Sequence, residues 1–249
     1  MVYVGSKNRI AKEILNHTLK NVSNRIEVYY EPFVGGANII DKVNLFKREN
    51  NLDLKLIGSD KNRYLISMLD YLSHDGHFKY KFIEKDEWIK NYLHPFKKNE
   101  LNLPTYEIGY LGITKTFRGK FMNGYFGIDI RDGKDIQFYK HNNIIKQQPN
   151  LKGIEFKYCD YNDLNIQDNS IIYLDPPYKG TIKYIEDINH DELYQWCCNI
   201  KDKFNNVHIY LSELNSIGDR FKEIWNKDIV NNMKLDKTIK MNEKLFELI

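Results

Sequence analysis

The chain has 249 residues, 42% of them hydrophobic and 14% aromatic, with a formal net charge of +3. That is enough apolar material for a sizeable core in one large domain, or a domain with an insertion, and it excludes an intrinsically disordered chain. So mild a basic balance admits a polyanionic partner only through a local patch. The three cysteines, Cys159 and the adjacent Cys197 and Cys198, have neither a disulfide framework nor a zinc spacing. They read as reduced thiols of a cytoplasmic protein. The opening "MVYVGSKNRIAKEI" lacks an apolar stretch of signal-peptide length, and no run approaches the roughly 20 apolar residues of a membrane span.

In chain order, "IEVYYEPFVGGANIIDKVNLFKREN" reads as a strand centred on Val28–Tyr30, a turn at Gly35-Gly36 and a helix with Ile39, Ile40, Val43 and Phe46 at helical spacing. A second strand, "LKLIGSD", ends at Asp60. The next helix, "RYLISMLDYLSH", carries Leu65, Met68, Leu69 and Leu72 on one face. From about residue 73 to 150 the strand–helix rhythm stops. There "HPFKKNELNLP" resembles a connection, and "FRGKFMNGYFGI" an aromatic, glycine-punctuated hairpin. The rhythm resumes with "IEFKYCD", "SIIYLDPPY", a helix in "HDELYQWCCNIKDKF" and a strand in "NVHIYLSE". Apolar, β-branched strands alternating with helices predict an α/β protein with a mostly parallel sheet. The sheet domain is expected over 1–64 and 148–249, with an insertion at 65–147.

Ligands of open α/β sheets bind outside the carboxyl ends of the strands. That rule gathers "EPFVGGAN", Asp60, "CDY" at 159–161 and "DPPY" at 175–178 around one crevice. The glycine turn is neither G-x-G-x-x-G nor a P-loop, so no phosphate cradle is indicated. It remains a place where backbone can approach a ligand, with Glu31 just ahead of it. Asp60 suits a carboxylate accepting hydrogen bonds from ribose hydroxyls, or else the N-cap of the following helix. The predicted ligand is a nucleoside-like cofactor. In "YLDPPYKG" each proline locks φ and lacks an N–H, and Asp175 is pushed toward extended geometry. The tetrapeptide can simply end a strand, with Asp175 and Tyr178 solvated. It can also present a rigid carboxylate and the carbonyl of Pro176 to the two hydrogens of an adenine N6 amine. Tyr178 would then stack on that base, flipped out of its duplex.

"YVGSK", "EPFVGGA" and "DPPY", in this order, resemble the Dam-type, D12-class, adenine-N6-specific DNA methyltransferases. The resemblance implies a Rossmann-like methyltransferase fold with an inserted, mainly helical target-recognition domain carrying a β-hairpin. It implies S-adenosylmethionine as cofactor, double-stranded DNA as partner, no metal, and a bacterial or phage-infected cell as the setting. By the same resemblance Tyr3 and Lys7 are N-terminal cofactor contacts, and Glu31, Phe33, Gly35 and Ala37 belong to the glycine turn. Asp60 is the ribose acid, Asp160 and Tyr161 flank the cofactor's adenine, and Asp175, Pro176 and Tyr178 are catalytic. "YLSE" resembles a later family motif around Ser212, and "DPPYKGTIKY" continues the family's pattern. The sequence departs from that pattern at Ile188, where an aromatic is common, and in a hairpin that lacks the fuller Asn/Phe pattern of GATC-specific members.

Between Ile108 and Ile128 there is no acidic residue. Lys115, Arg118, Lys120, Asn123 and Tyr125 are therefore the expected DNA contacts, with basic side chains on phosphates and Arg118 suited to a guanine edge. For Phe117 and Phe126 a small aromatic core is the equal alternative, and Lys7 on its own reads as a solvated lysine. The runs Lys97-Lys98 and "KLDKTIKMNEK" read as solvated faces, and His190 as a packing or capping histidine. The rival functions are an N4-cytosine methyltransferase, disfavoured by Asp rather than Ser at 175, and a catalytically silent DNA-binding module.

Overall fold

The computed structural model describes residues 1–20, 22, 25–129, 132–178, 188–234 and 237–249. Side chains are described for these residues except Arg118, 230–234 and 237–240. Helix α1 (Ala11–Thr18) leads into β1 (Val28–Glu31), α2 (Ile40–Glu49), β2 (Lys55–Asp60) and α3 (Arg63–Ser73). Two short helices follow, α4 (Lys85–Trp88) and α5 (His94–Lys97), joined by a π turn over Ile89–Leu93, and then α6 (Thr105–Thr114) and α7 (Ile136–Gln147). The sheet resumes with β3 (Glu155–Tyr158), β4 (Ser170–Leu174), α8 (His190–Lys203), β5 (Val207–Glu213), β6 (Phe221–Lys234) and β7 (Lys237–Leu248).

The seven strands lie in the order β3-β2-β1-β4-β5-β7-β6. β3, β2, β1, β4 and β5 pair in parallel, while β7 runs antiparallel between β5 and β6. This is a Rossmann-like arrangement, a mostly parallel sheet flanked by helices. The chain leaves β1 toward β2 on one side and later fills β4 on the other, which makes the β1–β4 boundary the topological switch point. Strand residues alternate between two cores because successive side chains point to opposite faces. Tyr29, Leu56, Ile171, Tyr173 and Tyr210 face α1, α2 and α3. Tyr30, Ile57, Ile172, Leu174 and Leu211 face Leu193, Cys197 and Ile200 of α8.

Three expectations need correction. The boundary at residue 65 cuts α3, whose buried Leu65, Met68, Leu69 and Leu72 belong to the sheet's own core. Tyr110, Ile113 and Ile144 of the inserted segment join that core too, while Ile83, Trp88, Leu93, Ile108 and Met122 form a small cluster of their own. Second, "FRGKFMNGYFGI" does not pair as a hairpin. Gly119, Met122 and Gly124, at φ of 71°, 48° and 71°, coil it into a compact loop after a 3₁₀ turn at Phe117–Gly119. One antiparallel bridge, Ile128 with Asp135, stands at its far end. Third, in "KLDKTIKMNEK" Met241, Asn242, Glu243 and Lys244 lie in β7 and are half-buried or buried, not solvated. Leu245, Phe246 and Leu248 of β7 are buried, and Glu243 is only 5% exposed.

Candidate active site

Glu31 ends β1 almost fully buried. It accepts a hydrogen bond from the backbone N–H of Ile40 at the start of α2, but its Oε2 has no hydrogen-bond partner. Burial first, then the charges of Asp175 and Asp41, holds its pKa well above the carboxylate range. The turn that follows is held by Val34 N donating to Ser59 O at 2.9 Å and Ala37 N to Val34 O at 2.7 Å. A Cβ on Gly36 would fall 2.8 Å from both Tyr3 Cβ and Asn38 Nδ2. Only glycine therefore lets the segment of Tyr3 lie on the turn.

Asp60 is not the cap of α3, because Asn62 accepts from the N–H groups of Tyr64 and Leu65. The Asp60 carboxylate instead accepts from Gly35 N at 3.1 Å and Asn62 N at 2.9 Å, tying the second strand's end to the glycine turn. Burial outweighs these N–H groups and raises its pKa. Asp160 caps the short turn after β3 by accepting from Asn162 N, and pairs with Lys61 at 2.6 Å. Tyr161 is buried, 5.6 Å from the ring of Phe33 and 5.3 Å from that of Trp196. Tyr161 belongs to the core on the α8 side of the sheet, with Phe33 and Trp196 packed against it. An acid with an orphaned oxygen, a strand-end carboxylate and a side-chain-free turn fit a cofactor with an amino group and a ribose.

Asp175 follows β4 directly, across the switch point. Lys7 Nζ lies 2.8 Å from its Oδ1, donates to Gly5 O at 3.1 Å, and sits 4.6 Å from the centre of the Tyr178 ring. Lys7 is 5% exposed, so it is a buried ion-pair partner and not a solvated lysine. The hydroxyl of Tyr178 donates to Glu243 Oε2, which lies 3.9 Å from Lys7 Nζ. Burial lifts the Asp175 pKa to about 6, against the pull of Lys7 and with help from Glu243 and Glu213. The Lys7 pKa rises even though burial pulls the other way, because Asp175, Glu243 and Glu213 all face it. The Tyr178 hydroxyl is pushed up by burial and by Asp175 and Glu243. Beneath the cluster, Tyr173 and Ser212 share a hydrogen bond of 2.8 Å, and His190 Nε2 lies 3.3 Å from Glu213 Oε2.

Sequence reasoning missed two of these acids. Glu213 was findable, since it closes β5 and meets the strand-end rule. Glu243 carried no signal: its strand is antiparallel and brings an interior residue to the carboxyl edge, next to Lys244, which pairs with Glu213. The residues after Tyr178 in "DPPYKGTIKY" lie outside the described ones. Ile188 is half-buried against the α8 core.

The expected DNA contacts separate by burial. Lys115 is 1% exposed; it donates to Lys81 O and sits 5.1 Å from the centre of the Tyr80 ring, and burial lowers its pKa to about 8. It is a brace of the loop and not a phosphate contact. Tyr125 is half-buried with its hydroxyl donating to Ile83 O at 2.8 Å. Lys120 and Asn123 are exposed, and the side chain of Arg118 lies outside the described set. Phe117 and Phe126 pack edge to face at 5.2 Å. The loop touches the N-terminal segment at Gly119, where a Cβ would meet Val2 O at 2.5 Å and Tyr3 Cα at 2.9 Å. Among the described residues no His/Cys/Asp/Glu group is placed to hold a metal ion, and no helix is long and apolar enough to cross a membrane.

Comparison with known proteins adds two findings. The family model for D12 class N6 adenine-specific DNA methyltransferase matches residues 3–124. Two solved structures of the rRNA methyltransferase aviRa from Streptomyces viridochromogenes, at 1.5 Å and 2.4 Å, are similar with TM-scores of 0.46 and 0.47. Each is 12% identical, over 99% of this chain and 86% of that one.

Proposed function

Because residues 3–124 match the family model for D12 class N6 adenine-specific DNA methyltransferase, we propose that this chain methylates N6 of an adenine flipped out of double-stranded DNA. The methyl donor is S-adenosylmethionine and the target lies in a specific sequence. The observation that carries this reading is the half-buried Asp175, ion-paired to the buried Lys7 and next to Tyr178 at the switch point. Glu31 and Asp60 would hold the donor's amino group and ribose, beside the turn of Phe33, Gly35 and Ala37. When bound, S-adenosylmethionine supplies a methyl group on a sulfonium, ready for attack by a nitrogen lone pair.

The protein's task is to make that lone pair available. An exocyclic amine conjugated with its ring is a poor nucleophile. Asp175 Oδ2 and the carbonyl of Pro176 accept its two hydrogens and favour a pyramidal nitrogen. Tyr178 stacks on the base and so replaces the stacking lost when it left the duplex. Were N6 to take up the donor's methyl group, positive charge would grow on that nitrogen. The fixed Asp175 carboxylate stabilises that charge without reorganising. The methylated nitrogen is then strongly acidic and gives its proton to water. Lys7, bound to Oδ1, keeps the half-buried carboxylate ionised at neutral pH. The exposed Lys120 and Asn123 would meet the DNA, and Arg118 keeps that role on its sequence position alone. The setting is the cytoplasm of a bacterial or phage-infected cell, in keeping with three free thiols.

The test is transfer of labelled methyl groups to duplex DNA, followed by nucleoside analysis. N6-methyladenosine is the expected product. N4-methylcytosine would transfer the same geometry to the other exocyclic amine, and tight DNA binding without transfer would identify a silent module.

A further inference from the structure

Glu243 lies outside everything the reaction requires, yet it touches both side chains that flank Asp175. Its Oε2 accepts the hydroxyl of Tyr178 and stands 3.9 Å from Lys7 Nζ, with the residue 5% exposed. A buried carboxylate is costly unless its hydrogen bonds and charge are matched. Here one hydroxyl and one ammonium supply the match. The two prolines fix the backbone ahead of Tyr178. They do not set the ring's own side-chain torsions. A charge-assisted hydrogen bond at the far end of the ring restrains those torsions. We propose that Glu243 is a positioning residue that sets the plane of the Tyr178 ring, so that its face meets the flipped base. The proposal rests on the reading of methyl transfer given above.

Three variants test it, on duplex DNA free of methylated adenine with labelled S-adenosylmethionine. Tyr178→Phe keeps the ring and removes the bond. Glu243→Leu removes it from the other side, and Glu243→Gln leaves an acceptor in place. Tyr178→Phe should lower kcat/KM for DNA roughly 10- to 100-fold, the worth of a hydrogen bond to a charged group. The loss should fall mainly on the KM for DNA, with cofactor affinity unchanged by calorimetry. On the Glu243→Leu background Tyr178→Phe should cost less than about twofold, and Glu243→Gln should recover at least tenfold over Glu243→Leu. Wild-type kinetics in Tyr178→Phe, or an equal cost on both backgrounds, would overturn the proposal. The same cycle read in thermal unfolding reports the bond whatever base is methylated. Its absence there sinks the role of Glu243, whereas coupling together with methylation of another base sinks only the adenine reading. If Glu243→Leu does not fold, Tyr178→Phe and Glu243→Gln decide the matter.

Discussion

Asp175 is asked to be an ionised acceptor in a place that resists charge. Burial lifts its pKa to about 6, while the charge of Lys7 and its hydrogen bond pull it down. The protonated form is the inactive one, so kcat/KM should fall as pH drops through about 6 and hold steady above it. Lys7→Met removes the group that favours the anion, and the acid limb should move to higher pH. A pH–rate profile of the two proteins checks both statements, and an unmoved limb would take Lys7 out of the charge balance. Asp175→Ala should cost about 10²–10³ in rate, the usual loss for one oriented electrostatic partner, while cofactor affinity stays close to wild type. Asp60 presents the opposite case. Its oxygens already hold Gly35 and Asn62, so Asp60→Ala should weaken S-adenosylmethionine binding by about 1.5–3 kcal/mol. Unchanged affinity in calorimetry would leave Asp60 with the backbone alone.

At the scale of elements, the loop over 115–129 shows how burial separates lysines that look alike in sequence. Lys115 is enclosed between Lys81 and Tyr80, and Lys120 stands in solvent five residues later. Lys115→Ala removes a buried donor and leaves the carbonyl of Lys81 without its partner. It should lower stability by about 1–3 kcal/mol, seen as a drop in melting temperature. Lys120→Ala should leave the melting temperature in place. It should weaken DNA binding evenly across sequences and reduce the salt slope by about 1. A melting loss in Lys120→Ala, with none in Lys115→Ala, would reverse the assignment. Helix α6 makes a related point. Ile108, Gly109, Tyr110, Gly112, Ile113 and Thr114 are all buried, and a helix covered on most sides shows no amphipathic period to read.

Across the whole molecule, the inserted segment, the N-terminal segment and the glycine turn lean on one another. Tyr3 lies on Gly36 and the backbone of Val2 and Tyr3 lies against Gly119, so the loop over 115–129 and the glycine turn share one segment between them. Gly119 has φ of 71° and no room for a Cβ. Gly119→Ala should therefore push Val2 and Tyr3 away and weaken S-adenosylmethionine binding, although residue 119 belongs to the loop. Calorimetry on a variant that melts close to wild type is the measurement. Unchanged cofactor affinity would show that the N-terminal segment absorbs the shift.

What the sequence determined by itself is what depends on near neighbours. Strand and helix periods, the glycine turn and the carboxylates at the ends of β1, β2 and β4 were legible because each is a property of a few adjacent residues. The switch-point rule then placed Glu31, Asp60 and Asp175 together without a structure. Tertiary packing alone decided which charges are buried and what they face. Lys7 meets Asp175 and Glu243 from far along the chain. Glu243 arrives on an antiparallel strand that runs on into the buried Leu245, Phe246 and Leu248, and Lys115 turns inward where Lys120 turns out. Desolvation and ion pairing act through space between segments distant in the chain, and no local pattern records them.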